Sequence, residues 1–584
     1  FGFRLGKKSL TNGQHNVRCE DIIKPQFPAL HFLRHISHRF IDVVVIGGGA
    51  TGAGTLRDLA MRGVKALLLE QRDLVHGTSS RFHGLLHSGA RYAVKDAEAG
   101  RECIEENRIL RRIGKHCVEE TEGFFVRTPE DGAEFEATWV TACDKCGIEA
   151  TPISVKEART LEPNLAGNIV SVYRVPDSAV DGFRLVWQNV QNAVRHGAGF
   201  RTYTEVTSIN SANGQVTSVS VRDSRTGQTG EIPCSFVVNA AGSWVGELAH
   251  TAGLDINVKP DRGTLVAFNH RFTSRVINRL RKASDGDIFV PHGSITILGT
   301  TSKKTDKPDD TVPDTAEVHD LLDIGRVLFP EIDSYRILRT FAGTRPLYTA
   351  DPSAEGRGAS RNFVVLDHEK EGLKGMATIC GGKLTTYRLM GERMADLVCT
   401  KLGVTAQCRT AVEPLVEDTP PALLERARKV FPAQGLEQAE SRLGDSFAAT
   451  VERLEAAPWK KALLCECERV TIAEFEQVAS EPTSHSLNDI RRRTRMGMGT
   501  CQGSFCGLRG VGAVLEAKLL PAGMQACGTG ECDALPCGAP DLLQSFQQER
   551  WYGIRPVLWG SELRETELAR GMYGATLNVD GADE

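Results

Sequence analysis

Two groups of residues in this 584-residue chain have the types and spacing for redox chemistry. The first lies in IDVVVIGGGATGAGTLRDLAMRGVKALLLE (41–70), where Gly47, Gly49 and Gly52 fall on a G-x-G-x-x-G spacing. A Val-rich apolar run precedes them and a helix-like segment follows. The first glycine permits a tight turn, the second lets backbone approach a pyrophosphate, and the third lets the helix sit close to the strand. The helix N-terminus then offers unpaired N–H groups and a positive dipole end to the phosphates. Glu70 closes the second apolar run, 18 positions after Gly52, where a carboxylate holds ribose hydroxyls. The stretch reads as a dinucleotide site, and the motif alone does not separate FAD from NAD.

The second group is four cysteines. Cys465 and Cys467 form CEC, Cys501 and Cys506 form CQGSFC, and 33 residues separate the pairs. Four thiolates brought together by two loops can hold a [2Fe–2S] cluster. Zinc also takes four cysteines, but a C-x-C pair fits its usual knuckles poorly. Arg491, Arg492, Arg493 and Arg495 stand just before the third ligand. They offset the charge of such a cluster, dock an acidic partner, or form a solvated basic helix face. Cys527, Cys532 and Cys537 lack a fourth ligand and read as a loop with free thiols. Cys143 and Cys146 resemble half a zinc knuckle without its other half and read as structural. Seven of the 16 cysteines fall between 465 and 537, and the scattered remainder suits a reducing interior rather than a secreted disulfide scaffold.

A third set points to an anion. Thr78, Ser79 and Ser80 can donate hydroxyl hydrogen bonds to a cofactor phosphate or ring. Arg91 and Tyr92 follow Gly89, Arg345 sits in GTRPL and Lys383 in GGKLTTYR. Arginine forks bind phosphate in bidentate fashion and lysine adds a point charge. Surface salt bridges are the plainer alternative for the same residues.

The elements that must position these groups follow from texture. Hydrophobic residues make up 41% and charged residues 25%, as in a soluble globular protein, and the net charge of −4 gives no general attraction to nucleic acid. No apolar run approaches the ~20 residues that span a bilayer. Residues 1–40 carry seven Lys and Arg against Glu20 and Asp21 and read as a tail or leader. Residues 41–400 read as the dinucleotide domain, interrupted at about 123–175 and 260–340 by the strands and turns of an inserted domain. A helix is expected over 181–196 and hairpins over 203–233, and FVVNAAGSW (236–244) returns to the first domain. Residues 401–463 read as linker and helices, 464–515 as the cysteine domain, and 516–584 as a tail.

Several motifs make the chain familiar. GGGATGAG, TSSRFHGLLHSGARY, NAAGSW, GTRPL and GGKLTTYR resemble the FAD-dependent glycerol-3-phosphate dehydrogenase and D-amino-acid-oxidase superfamily. The segment from Cys465 to Cys506 resembles the bacterioferritin-associated-ferredoxin type of [2Fe–2S] module. In this order, over about 40–575, they resemble the large (A) subunits of bacterial anaerobic glycerol-3-phosphate dehydrogenases. The resemblance implies an α/β Rossmann-like FAD-binding domain with an interleaved α+β substrate domain, followed by a small helical [2Fe–2S] domain. Gly47, Gly49, Gly52 and Glu70 would bind the ADP half of FAD. Thr78, Ser79, Ser80, Ala240 and Gly242 would line its phosphates and ring, and Gly381, Gly382, Lys383 and Leu384 would cover the flavin. Arg91, Tyr92, Arg345 and Lys383 would face the substrate, glycerol 3-phosphate. The resemblance does not supply the general base; His87 is the first candidate because imidazole titrates near neutral pH, and shaping the loop is the alternative for it. Cys465, Cys467, Cys501 and Cys506 would hold the cluster. Electrons would pass to quinone through two partners, first a second flavoprotein subunit, then a membrane-bound iron–sulfur subunit. The chain would then sit on the cytoplasmic face of the inner membrane through those partners. Rival readings are an amine or 2-hydroxy-acid dehydrogenase and a cluster-centred adaptor. The sequence departs from the superfamily pattern at Arg262, Gly263 and Thr264, where Lys-Gly-Ser is usual, and at His83 and His87.

Overall fold

The computed structural model describes residues 41–348, 362–517, 519 and 538–577, with side chains through residue 571. The leader expected over 1–40 and Cys527, Cys532 and Cys537 lie outside the described residues.

The strand Ile41–Ile46 is buried from Val43 onward and pairs in parallel with Ala66–Leu69 on one side and Thr229–Asn239 on the other. Gly199–Arg201 extends this sheet beyond Ala66–Leu69, and Met376–Gly381 joins beside Val237–Asn239. The long strand Thr229–Asn239 also carries, at its N-terminal half, the meander Thr204–Ala212 and Gln215–Asp223. Asn213 and Gly214, both at positive φ, make the tight turn of that hairpin.

Helix Ala50–Met61 crosses from the first strand to the second with all but Thr51 buried. It packs on helix Tyr387–Leu402 through two glycines: a Cβ on Gly391 would stand 2.7 Å from the Gly54 carbonyl carbon, and one on Gly54 2.9 Å from the Tyr387 ring. Its third neighbour is helix Gly182–Arg195, capped by Asp181, whose side chain accepts from the Arg184 amide at 3.1 Å. Leu56 and Leu59, fully buried here, would each cost about 2–5 kcal/mol on truncation to Ala.

A second, nine-stranded sheet is assembled from two separate segments of the chain. Gly123–Arg127, Thr151–Ile153 and Ser171–Val175 come from the first, and Val258–Phe268, Val276–Arg279, Ile288–His292, Ile295–Gly299, Lys303–Lys304 and Ile337–Tyr348 from the second. Its core gathers Phe124, Phe268, Phe289 and Phe329 against helix Thr315–Gly325. Cys143 and Cys146 are buried in a smaller core with Trp139 and Phe125, as a structural role requires.

The third core is helical. It joins Pro421–Val430, Leu436–Leu443 and Phe447–Ala456 to Ile472–Ala479, Leu487–Thr494 and Cys506–Glu516, with Phe546 from a later helix. The stretch read as linker over 401–463 therefore divides: its helices from Pro421 onward share the core of the cysteine unit, because Ala427, Phe431 and Leu454 belong to one cluster with Phe475 and Met496 rather than to the cores of the sheets. No described helix is long and apolar enough to cross a membrane.

Candidate functional site

Gly47 turns out of the first strand at φ +113, in the left-handed region that a side chain resists. A Cβ there would meet the Ala240 carbonyl at 2.5 Å. A Cβ on Gly52 would meet the Gly47 carbonyl at 1.9 Å, so the third glycine works by letting helix close on turn. Glu70 reaches back over this turn: one carboxylate oxygen accepts from the Gly48 amide at 2.7 Å and the other from the Arg72 amide at 2.9 Å. Burial raises its pKa above the usual carboxylate range. Ser79 accepts from the Ala50 amide at 3.0 Å, and Thr78 donates to the Thr344 carbonyl at 2.6 Å.

These residues open on a cavity of about 690 Å³ that runs from Glu70, Arg72 and Glu205 to Tyr92, Arg345 and Lys383. Gly47, Gly49, Thr78, Ser79, Ala240, Gly242, Gly381, Gly382 and Leu384 line it, as do His87, Tyr92 and Arg345. Three expected residues are not on its wall. Gly52 lies beneath the turn, Ser80 bonds back to the Gly77 carbonyl at 3.0 Å, and Arg91 is drawn away by Asp287 at 2.7 Å and the Ser284 carbonyl at 3.0 Å. Asp287 is fully buried, so that pair is a fixed part of the wall behind the cavity.

At the far end, Lys383 stands 4.8 Å over the Tyr92 ring, and His87 packs between Tyr92 (5.3 Å) and His83 (5.8 Å). His83 accepts from the Leu85 amide at 3.2 Å, and burial beside Arg345 and Arg91 pushes its pKa down to about 3. It is therefore neutral through the physiological range. Arg345 forms an ion pair with Asp261 and hydrogen bonds to Thr300 and to the Thr301 carbonyl (2.9 Å). Gly263, the one position of Arg262-Gly263-Thr264 that keeps the superfamily's residue, shows why glycine is needed: a Cβ there would stand 2.3 Å from an Arg345 nitrogen, so the guanidinium lies across a bare backbone. Arg262 points the other way, to Glu317 (2.7 Å) and Asp310 (2.8 Å).

Residues not singled out from the sequence also line the cavity: His76, Arg81, Phe82, Trp244 and Glu247. Arg81 and Trp244 lie inside the motifs TSSRF and NAAGSW, so their neighbourhood was marked though their roles were not.

The four cysteines come together at the helical core, to which buried Cys465 and Cys506 belong. Cys465 and Cys506 are in hydrogen-bond contact, and Cys501 contacts both Cys467 and Cys506. Backbone amides of Gly497 and Glu468 point at Cys465, that of Cys501 at Cys467, and those of Phe505 and Gly503 at Cys501. The bonds from Cys467 and Cys506 lower the pKa of the Cys501 thiol, while the contact with Cys465 raises that of Cys506. Gly499 lets the loop close, since a Cβ there would meet the Cys467 Cβ at 2.4 Å. Among the described residues no group of three or more His, Cys, Asp or Glu side chains stands ready for a single metal ion. Four sulfurs with five amide donors around them fit the donor set of a tetrathiolate cluster.

Neither a solvated face nor an open docking patch describes the arginines before Cys501. Arg492 and Arg493 bind Asp73 at 3.1 and 2.9 Å, in the loop that follows Glu70, and Arg492 also contacts His76 at 3.2 Å. Arg493 lies 4.7 Å over Trp187, and Arg491 packs 5.9 Å over Phe183 and pairs with Glu549. Their side chains are 3–9% exposed, so they form a buried seam between the cysteine unit and the dinucleotide unit.

Residues 42–388 match the family described as FAD dependent oxidoreductase. The A subunit of the anaerobic glycerol-3-phosphate dehydrogenase of Escherichia coli is 44% identical over 537 residues, covering 91% of this chain and 96% of that protein. The A1 subunit of the same enzyme in Haloferax volcanii is 41% identical over 557 residues, covering 92% and 91%. Among solved structures, the glycerol-3-phosphate dehydrogenase of Bacillus halodurans complexed with FAD superposes with a TM-score of 0.65 at 23% identity, over 90% of this chain and 97% of that one, which shows a shared fold.

Proposed function

The chain belongs to the FAD dependent oxidoreductase family, with the large subunits of anaerobic glycerol-3-phosphate dehydrogenases as relatives, and we propose that it oxidises sn-glycerol 3-phosphate to dihydroxyacetone phosphate. One observation carries this reading: a single cavity joins the glycine cradle to Arg345, Lys383, Tyr92 and His87. FAD, when bound, supplies the acceptor for the hydride leaving C2.

Everything else is done by side chains and backbone of this chain. Gly47, Gly49 and the Ala50 end of the helix hold the pyrophosphate, and Glu70 holds the ribose while fixed by two amides. Gly381 and Gly382, both left-handed, lay bare backbone beside the ring, where a Cβ on Gly382 would meet Met390 sulfur at 2.5 Å. Arg345 and Lys383 bind the substrate phosphate, so that remote binding energy aligns C2. Asp261 holds the Arg345 fork in place for that task. His87 takes the C2 hydroxyl proton, with Tyr92 packed on one side of its ring and neutral His83 on the other.

Cys465, Cys467, Cys501 and Cys506 would hold a [2Fe–2S] cluster, which when bound would supply one-electron chemistry. Two partner proteins, a second flavoprotein and a membrane-bound iron–sulfur protein, carry the electrons to quinone and keep this chain at the cytoplasmic face of the inner membrane.

An anaerobic absorbance titration with sn-glycerol 3-phosphate tests the reading. Bleaching of the flavin bands, followed by loss of the longer-wavelength cluster absorbance, is expected. Flavin-containing protein that does not bleach would overturn the phosphate-substrate assignment.

A further inference from the structure

Arg495 stands where three parts of the molecule meet. Its Nη1 lies 3.0 Å from Asp181 Oδ2 and 3.2 Å from His292 Nε2, and its Nε lies 2.9 Å from Glu468 Oε2. Asp181 caps helix Gly182–Arg195 of the dinucleotide unit, His292 ends a strand of the inserted sheet, and Glu468 belongs to the cysteine loop. The backbone of Arg495 is left-handed, at φ +67, a conformation that favours glycine. A residue other than glycine persists there when its side chain is held by its surroundings, and this side chain is 12% exposed.

The contacts continue on both sides. The Glu468 amide points at Cys465, as does that of Gly497, two residues after Arg495. In the other direction, a Cβ on Gly182 would stand 2.7 Å from the Ser79 carbonyl, and Ser79 Oγ accepts from Ala50 at the start of the cradle helix. A line of hydrogen bonds and close packing thus runs from Cys465 through Glu468, Arg495 and Asp181 to the glycine cradle.

We propose that Arg495 is a positioning residue for electron transfer, fixing the cysteine loop against the cavity so that electrons leave it at full rate. The inference rests on the reading of the cavity and cysteines given above. Oxidation of the C2 alcohol releases two electrons and two protons. In turnover the electrons pass singly through the four-cysteine centre to a one-electron acceptor such as ferricyanide, while the protons go to solvent; without an acceptor, as in the test, one electron reaches the centre and the other stays on the flavin.

The experiment compares full-length Arg495→Met, Arg495→Lys and Arg495→Gly with the unaltered chain, by anaerobic stopped flow with sn-glycerol 3-phosphate. Flavin bleaching should keep its rate, and iron content and the EPR signal of dithionite-reduced protein should be unchanged. Cluster reduction should slow by about tenfold or more in the Met and Gly variants. The Lys variant should recover part of the rate. The Gly variant removes the backbone strain but not the lost contacts, so its slowing separates positioning from folding. Cluster reduction at full rate in the Met and Gly variants would overturn the proposal, and so would iron loss in all three variants, which would make Arg495 a brace for the ligands alone. An unaltered chain that binds no iron, or does not bleach, fails the underlying reading instead and takes the inference down with it.

Discussion

The glycine cradle and the cysteine loop are both tight loops that feed a helix, Ala50–Met61 in one case and Cys506–Glu516 in the other. They are held in place by different physics. The cradle is fixed by its own neighbours in sequence: a buried parallel strand, a helix with glycines where it must close, and a carboxylate from the next strand. The cysteine loop is fixed relative to the cavity by charged side chains whose partners lie more than 300 positions away, as in Arg492–Asp73 and Arg495–Asp181. The first device is local and built of backbone; the second is long-range and built of ion pairs.

Substitutions should separate the two. The largest effect is expected from Cys465→Ser, which should abolish iron binding while flavin content, read by absorbance after denaturation, stays whole. Asp73→Asn removes the nearest charge partner of Arg493 in a buried seam and leaves it Glu481 at 3.7 Å, so the cost should fall below the ~3–5 kcal/mol of an uncompensated buried charge. Early loss of cluster absorbance on urea unfolding, ahead of flavin release, checks it; coincident loss would mean the seam does not act separately. Gly52→Ala should do the reverse, costing about 3 kcal/mol through overpacking against the Gly47 carbonyl and releasing flavin while iron is retained.

Smaller effects sharpen the picture. Arg345→Ala should raise KM for sn-glycerol 3-phosphate by roughly tenfold to a hundredfold, the scale of hydrogen bonds to a charged group, and leave iron content unchanged. An unaltered KM would remove Arg345 from the phosphate site. The smallest effect concerns pH. Burial beside Arg225 pushes the pKa of His485, on the cysteine unit, down to about 4. The unfolded chain therefore binds a proton, below about 6.5, that the folded chain refuses until about 4. Stability falls as pH drops through that window, at no more than about 1.4 kcal/mol per pH unit for this group. His485→Gln should flatten the slope between pH 6.5 and 4 in urea melts; an identical slope would exclude His485 as a contributor.

The same contrast decided what the chain disclosed before its structure was known. The cradle was legible because its glycines, strand, helix and Glu70 lie within 30 residues and each has a local reason for its type. The cysteine quartet was legible from ligand type and spacing. The arginine seam was not, because nothing near residues 491–495 signals Asp73, His76 or Asp181. The pairing of Arg91 was hidden for a similar reason: its partner Asp287 comes from the inserted sheet, and no local pattern ties the two. The helices from Pro421 onward were seen as helices but not as part of the cysteine unit, since an amphipathic face does not name the surface it covers.

The cysteine unit is anchored at both of its ends. On entry, Arg57 inside the cradle helix holds the carbonyls of Thr410 (3.3 Å) and Glu413 (2.7 Å), and Leu415 is buried in the first core. On exit, Val557 is buried in the core of the second sheet, Trp559 stacks 4.8 Å from His319, and Glu562 pairs with Arg336 at 2.6 Å. A carrier that swings or diffuses must be free at one end at least. This unit is free at neither, so its effective concentration at the cavity does not depend on how much protein is present. On the proposed electron route, exchange between the two regions would be a first-order event within each molecule, and diluting the protein should leave its rate unchanged.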